Sequence, residues 1–158
     1  MKRVMRGDKR LLFLGIGLAW LAAAHPANAQ SCTISTRANV VFGNYSVYTA
    51  TPVTATGRIR INCNNATNAV IVDLSRGNAP TFIPRYMLKG IEQLTYNLYL
   101  DAARTTIWGD NTGGTVHYGP TNPPNGTNRN ITIYGQVPAL QDISAGAYAD
   151  SITATANF

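Results

Sequence analysis

The final residues of the chain alternate apolar and polar side chains with a period of two. Ala147 to Phe158 reads AYADSITATANF, and its apolar side chains occupy even positions, at Tyr148, Ile152, Ala154, Ala156 and Phe158. A period of two predicts a β-strand with one buried face. Because no further strand follows it in the printed sequence, we expect one edge of the sheet to stay open, and an open apolar edge invites pairing with another chain.

The first residues have the composition of a secretory signal peptide. Basic residues dominate Met1–Arg10, an apolar run covers Leu11–Ala24, and a small-residue A-N-A sequence precedes Gln30. We therefore expect a signal peptide at residues 1–29 and one domain at residues 30–158. The apolar run is shorter than the roughly 20 residues that span a membrane, so an uncleaved anchor is the less favoured alternative. The prediction is an exported protein that reaches the cell surface or the medium through the periplasm.

Most of the positive charge belongs to that N-terminal segment. Five of the 13 Lys and Arg residues and one of the 7 Asp and Glu residues precede Gln30, so residues 30–158 carry a net charge of +2. Nucleic acids and anionic membranes select clustered basic residues. We expect neither as a partner of the mature chain.

Alternating apolar residues recur along the domain, and no helical period is evident. The clearest alternation predicts strands at Thr56–Cys63, Ala69–Leu74, Leu94–Leu100 and Asn130–Val137. Shorter strands are expected at Cys32–Ser35, Arg85–Leu88 and Thr115–Tyr118, in an extended segment at Asn39–Tyr45, and in an edge strand that contains Trp108. Short strands separated by turn residues predict an all-β fold, an antiparallel β-sandwich.

Two cysteines, Cys32 and Cys63, lie in the expected domain. Export implies an oxidising compartment, so we predict a disulfide between them. The alternative, a metal site, lacks further ligands. A calcium loop at Asp110–Gly114 fails because the spacing of its oxygen ligands is wrong.

Catalytic residue patterns are sparse. His117 is the only histidine of the expected domain, and a single loop histidine is more often a surface residue than a catalytic base. Asp101 and Asp110 are interpreted as turn formers. We predict no catalytic residue, no metal and no cofactor, and hence a protein that is not an enzyme.

Several stretches together resemble one known family. They are Cys32 followed by FGNY at Phe42–Tyr45, GRIRINC ending at Cys63, YNLYLDAARTTIWGD at Tyr96–Asp110, and the run from Ile131 to Phe158 with its Y-G-x-x-P-x-x-Q and G-x-Y-x-D patterns. These stretches resemble the spore coat protein U domain. That domain is shared by secreted spore-coat proteins and by the pilins of archaic (Csu-type) chaperone-usher pili.

The resemblance implies an immunoglobulin-like sandwich that lacks its last strand. In the pilins, a periplasmic chaperone lends a strand, and a neighbouring subunit later replaces it by β-strand addition. The groove that accepts the strand would lie between the first strand and Ala147–Phe158. Its edge would be formed by Tyr148, Ile152, Ala154, Ala156 and Phe158.

One feature departs from the pilin pattern. A polymerising pilin donates about ten residues of alternating apolar character that precede its first cysteine. Cleavage before Gln30 would leave only Gln30 and Ser31 ahead of Cys32, and cleavage after Ala24 would add residues without apolar alternation. We therefore expect a subunit that accepts a strand without donating one, such as a tip or terminating subunit.

Two alternatives remain at this stage. The first is a self-contained secreted coat or matrix protein, in which an internal segment such as Asn111–Asn130 closes the open edge. The second is a glycan-binding module, or less plausibly a hydrolase, that uses exposed aromatic side chains at Tyr86, Trp108 and Tyr118.

Overall fold

The structure is a computed structural model that describes residues 29–65 and 68–158. The predicted signal peptide, residues 1–29, lies almost entirely outside the described residues.

Regular structure within the described ranges consists of eight β-strands and no helix. The strands are β1 (Ser31–Ala38), β2 (Val53–Asn64), β3 (Val70–Leu74), β4 (Arg85–Lys89), β5 (Glu92–Tyr99), β6 (Tyr118–Thr121), β7 (Arg129–Val137) and β8 (Ala154–Asn157). The predicted all-β class is confirmed. The described residues contain no helix long and apolar enough to cross a membrane.

The strands form two antiparallel sheets. A five-stranded sheet has the order β1-β2-β7-β5-β4, and a three-stranded sheet has the order β6-β3-β8. Every strand pair is antiparallel. The inner faces of the two sheets enclose the core, as in a β-sandwich.

The core follows from the alternation seen in the sequence. In β2, Ile59 and Ile61 are buried, Arg60 between them is half-buried and Arg58 before them is exposed, and Ile59 lies opposite Ile131 of β7. The other buried side chains of this cluster come from β3, β5, β7 and one loop: Val72, Leu74, Leu94, Tyr96, Leu98, Trp108, Ile131, Ile133 and Val137. Each fully buried aliphatic side chain of this size stabilises the fold by roughly 1.5–3 kcal/mol.

Trp108 is placed differently from its prediction. It lies in a loop that makes only isolated bridges, with Val116 as its partner, and its side chain is fully buried. The indole Nε1 donates a hydrogen bond of 2.8 Å to the carbonyl oxygen of Val72. The predicted edge strand is reduced to isolated bridges, and the exposure that the glycan-binding alternative required is wrong because the indole fills the core between the sheets while its N–H finds a backbone acceptor.

Cys32 and Cys63 form a disulfide between β1 and β2. They are directly opposite in the strand register, with Cα atoms 4.1 Å apart. Among the strands of residues 29–65 and 68–158, β2 is the only neighbour of β1. The disulfide therefore anchors a strand that is otherwise held along one edge alone.

A buried arginine connects the two sheets and the Trp108 loop. Arg85 of β4 is fully buried, and burial lowers its pKa to about 10. Its guanidinium donates to the carbonyl oxygens of Ser75 and Trp108, the latter at 2.7 Å, and to Asn97 Oδ1 at 2.7 Å. The ring of Phe82 lies 5.1 Å from the guanidinium carbon. All of its acceptors are neutral, so Arg85 acts as a structural cross-link rather than as an ion-pair partner.

Candidate functional site

A long groove runs between residues 34–45, which begin in β1, and residues 143–154, which end at the first residue of β8; the two sheets do not join here. Its volume is about 1090 Å³. One wall runs from Ile34 to Tyr45 and the other from Ile143 to Ala154. The floor is apolar and is formed by Ile59, Leu74, Met87, Leu94, Tyr96, Leu98, Ile133 and Val137. Among the described strands, β1 and β8 each have a single hydrogen-bonded neighbour, on the side away from the groove.

The backbone of β8 presents alternate residues to the groove. Ser75 N–H donates to the carbonyl oxygen of Thr153 at 2.9 Å, whereas Leu74 N–H donates away from β8, to Gly109 at 3.1 Å. Leu74 lies opposite Ala154 in the register. Because bonded and non-bonded pairs alternate in an antiparallel ladder, the backbone groups of Ala154 and Ala156 point away from β3 and toward the groove edge.

The predicted strand over Ala147–Phe158 is shorter in the structure, where β8 covers only Ala154–Asn157. The residues before it are extended but are held largely by side chains. Asp150 Oδ1 accepts the backbone N–H of Asn78 at 2.9 Å, and Asp150 Oδ2 accepts the hydroxyl of Tyr96 at 2.6 Å. Burial and the hydrogen bond to Asp150 raise the pKa of Tyr96. These side-chain contacts replace regular strand pairing over residues 150–153.

The opposite wall depends on two glycines of β2 and β7. A Cβ atom on Gly57 would lie 2.6 Å from Val40 Cγ2, and one on Gly135 would lie 2.7 Å from Val40 Cγ1 and 2.8 Å from the ring of Phe42. The ring of Phe42 also meets that of Tyr96 edge to face, with centroids 5.8 Å apart. The segment after β1 can therefore lie against the sheet only because these positions lack side chains.

The end of the groove is closed by residues of the FGNY and Y-G-x-x-P-x-x-Q patterns. The hydroxyl of Tyr45 donates to the carbonyl oxygen of Pro138 at 3.1 Å and accepts the N–H of Gln141 at 2.7 Å. The side chain of Gln141 accepts from the N–H of Thr95 at 2.7 Å and donates to its carbonyl oxygen at 2.9 Å. These bonds fix the loop after β7 to β5 and to the wall that contains Tyr45.

The predicted edge residues occupy different parts of this site. Tyr148, Ile152 and Ala154 line the groove. Ala156 is half-buried and packs against the core, and Phe158 is 50% exposed. Sequence reasoning did not assign Val40, Phe42, Tyr45 or Ile143 to the groove, although the FGNY stretch contained two of them.

The structure places the residues on which the two sequence-based alternatives depended. The segment Asn111–Asn130 contains β6, which pairs with β3 on the side opposite β8. The proposal that it closes the open edge was wrong because β3 separates it from the groove. Of the aromatic residues considered for glycan binding, Trp108 is buried, and Tyr86 and Tyr118 are only half-exposed.

The polar residues considered for catalysis have structural partners. Asp101 accepts backbone N–H groups of Thr105 and Thr106, and Asp110 accepts that of Thr112, as expected of turn formers. His117 is half-buried, with Nδ1 3.8 Å from Asp73 Oδ1. Residues 29–65 and 68–158 contain no group of three or more His, Cys, Asp or Glu side chains able to hold a metal ion.

Comparisons with known proteins agree with this architecture. The family model of the Spore Coat Protein U domain matches residues 19–155. Protein U of Myxococcus xanthus is 28% identical over 111 residues, which are 65% of this chain and 59% of that protein. The chain thus spans little more than half of this curated relative.

Among solved structures, a similar chain occurs in the CsuC-CsuE chaperone-tip adhesion subunit pre-assembly complex of the archaic chaperone-usher Csu pili of Acinetobacter baumannii. The TM-score is 0.55 at 22% identity, over 82% of this chain and 40% of that chain. The likeness confirms the predicted immunoglobulin-like antiparallel sandwich.

Proposed function

The chain belongs to the Spore Coat Protein U domain family, and we propose that it is a non-enzymatic structural or adhesive subunit of a bacterial surface assembly. In this proposal the assembly is a pilus or fimbria of the archaic chaperone-usher type. The subunit is exported through the periplasm and is completed by a β-strand donated from another chain.

The open groove between residues 34–45 and residues 143–154 is the observation that carries this proposal. It has an apolar floor, and the backbone groups of Ala154 and Ala156 at its edge have no strand partner among the described residues. Unpaired N–H and C=O groups at a strand edge are a template for pairing, and an extended peptide supplies partners along its whole length. The backbone of an incoming strand forms hydrogen bonds with the groove edge, and its alternating apolar side chains cover the apolar floor.

A periplasmic chaperone supplies this strand first, and a neighbouring subunit supplies it in the assembled fibre. Support comes from the fold shared with a subunit of a chaperone-tip adhesion subunit complex. A tip or terminating position belongs to the same proposal and depends on where the signal peptide is cleaved. Mass spectrometry of the exported chain tests it: an N-terminus at Gln30 supports a subunit that cannot donate a strand, and an N-terminus that keeps the apolar run of residues 11–24 contradicts it.

The experiment is co-purification. The full chain is exported together with the periplasmic chaperone of an archaic chaperone-usher system, and the complex is isolated through a tag on the subunit. Ile152, which lines the groove, is replaced in Ile152→Asp, and the exposed neighbour Thr153 serves as the control in Thr153→Asp. We expect the chaperone to co-purify with the wild type and Thr153→Asp but not with Ile152→Asp. A wild-type chain that accumulates as a stable folded monomer without chaperone would refute the proposal.

The family description supports a second candidate, a self-contained secreted coat or matrix protein. In that case the exported chain folds alone, and the groove edge is covered without a partner. Hydrogen exchange separates the two: full protection of the Ala154 and Ala156 amides in the isolated monomer favours the coat protein, and rapid exchange favours an acceptor subunit.

A further inference from the structure

One wall of the groove is attached to the β4–β5 hairpin by a polar cluster at its end. This wall cluster consists of Lys89, Glu92, Ser144 and Tyr148. Glu92 Oε2 accepts the hydroxyl of Tyr148 at 2.5 Å and that of Ser144 at 2.6 Å. The Tyr148 hydroxyl also lies 3.0 Å from the carbonyl oxygen of Ser144. A single carboxylate of the hairpin thus holds two residues of the wall.

Lys89 strengthens the same connection. Its ammonium group donates to Ser144 Oγ and to the carbonyl oxygen of Ala145 at 2.7 Å, lies 3.4 Å from Glu92 Oε2, and lies 5.8 Å from the centroid of the Tyr148 ring. Its aliphatic part covers Gly146, where a Cβ atom would lie 2.6 Å from Lys89 Cδ. Any larger residue at this position would push the wall away from the hairpin.

Regular backbone pairing does little to hold this wall. Leu88 and Ala149 exchange two hydrogen bonds, of 2.8 and 3.1 Å, and form an isolated bridge. No strand includes residues 143–148. Side chains of the wall cluster therefore set the position of Ile143 and Tyr148, which face the groove.

The hydrogen bonds from Ser144 and Tyr148 lower the pKa of Glu92 to about 2. The acceptor is therefore a carboxylate at neutral pH. Hydrogen bonds to an ionised acceptor are shorter and stronger than those between neutral groups. The wall cluster therefore stays formed without any change in the protonation of Glu92.

We propose that Glu92 is a positioning residue for strand capture. It holds the 143–148 wall against the β4–β5 hairpin and so fixes the width of the groove at the end where Tyr148, Met87 and Tyr96 meet the incoming strand. This inference rests on the proposed function. The inference adds that strand capture at this end of the groove depends on Glu92, which lies in the β4–β5 hairpin at one side of the five-stranded sheet and does not itself line the groove.

Glu92→Gln removes the charge at nearly constant size, and Tyr148→Phe removes one donor while keeping the ring. Asp101→Asn is the matched control. The Asp101 carboxylate also accepts several hydrogen bonds and also has a pKa lowered to about 2, by the backbone N–H of Thr105 first, yet it lies outside the groove. If the loss of any such carboxylate changes the protein in a general way, the Glu92 and Asp101 variants will show the same change; an effect of the wall cluster will appear in the Glu92 variant alone.

The first measurement is hydrogen exchange at the amides of Leu88 and Ala149, which bond to each other's carbonyl oxygens where the wall meets the hairpin. It is made on the full exported chain in whichever form it is purified, alone or with chaperone. We expect exchange to be about tenfold faster in Glu92→Gln and Tyr148→Phe, and unchanged in Asp101→Asn. Unchanged rates in Glu92→Gln would overturn the inference whatever the groove binds.

The second measurement is capture of a labelled synthetic peptide of alternating valine and threonine, with lysines at its ends, offered to the purified protein. Bound peptide should dissociate about threefold or more faster from Glu92→Gln than from wild type, with Asp101→Asn like wild type; the modest factor reflects solvent screening at an exposed site. Equal dissociation from all three would overturn the positioning role. If the wild type captures neither the peptide nor a chaperone strand, the proposed function is overturned. The hydrogen-exchange rates of the first measurement then decide by themselves whether Glu92 holds the 143–148 wall.

Discussion

Reduction of the Cys32–Cys63 disulfide should destabilise the domain strongly. The bond closes a loop with a sequence separation of 31 residues, and Cys63 is fully buried. On the chain-entropy model a loop of this length contributes about 4 kcal/mol to the free energy of unfolding at 25 °C. For a domain of about 130 residues this corresponds to a fall of about 10–15 °C in Tm.

The effect should be largest in the groove wall. β1 is paired with β2 alone, so the reduced protein has only hydrogen bonds along one edge of β1 to keep the wall in place. We expect amides of β1 to exchange faster on reduction, while those of β7, which has strand neighbours on both sides, keep most of their protection.

Urea unfolding followed by tryptophan fluorescence measures the change. Trp108 is the only tryptophan of residues 30–158 and is fully buried, so its emission reports the core directly. The midpoint should fall when a reductant is added to the wild type. The double variant Cys32→Ala/Cys63→Ala controls for the reductant and should not respond to it. An unchanged wild-type midpoint would refute the reasoning.

Other perturbations test the rest of the fold. Arg85→Met leaves neutral buried acceptors, among them Asn97 Oδ1 and the Trp108 carbonyl oxygen, without a donor and should lower the free energy of unfolding by about 1–3 kcal/mol in urea melts. Gly135→Ala should cost about 1–3 kcal/mol by forcing Val40 away, and the double variant with Val40→Ala should recover part of that loss in a double-mutant cycle. The carboxyls of Glu92 and Asp101 have pKa values lowered to about 2. The stability that they add is therefore present above the pKa of the unfolded chain and is lost as the pH falls from about 4 toward 2. The double variant Glu92→Gln/Asp101→Asn should lose less stability over this pH range in acid-unfolding curves.

The strands that the sequence predicted best are those with one buried and one polar face. β2 and β7 alternate along their apolar stretches, and β5 does so except at buried Asn97; their buried apolar positions agree with the structure because burial on one side of a sheet imposes a period of two. The disulfide was also predictable, since two cysteines in an exported domain allow one pairing.

The groove was harder to predict because its walls depend on contacts between distant segments. The Val40 segment lies where it does only because Gly135 provides space, a fact that no local pattern contains. β8 is short because the Asp150 side chain, through hydrogen bonds to Asn78 and Tyr96, holds the segment before it in place of regular backbone pairing. Trp108 turns inward because an acceptor on β3 meets its N–H.

Per-residue hydrogen exchange along residues 151–157, with and without a captured strand, tests the central claim most directly. Thr153 and Thr155 already face β3, so their amides should be protected in both states. The amides of Ala154 and Ala156 face the groove, and they should exchange fast when it is empty and at least tenfold slower when a strand fills it. Equal protection of these two amides in both states would contradict strand capture at this edge.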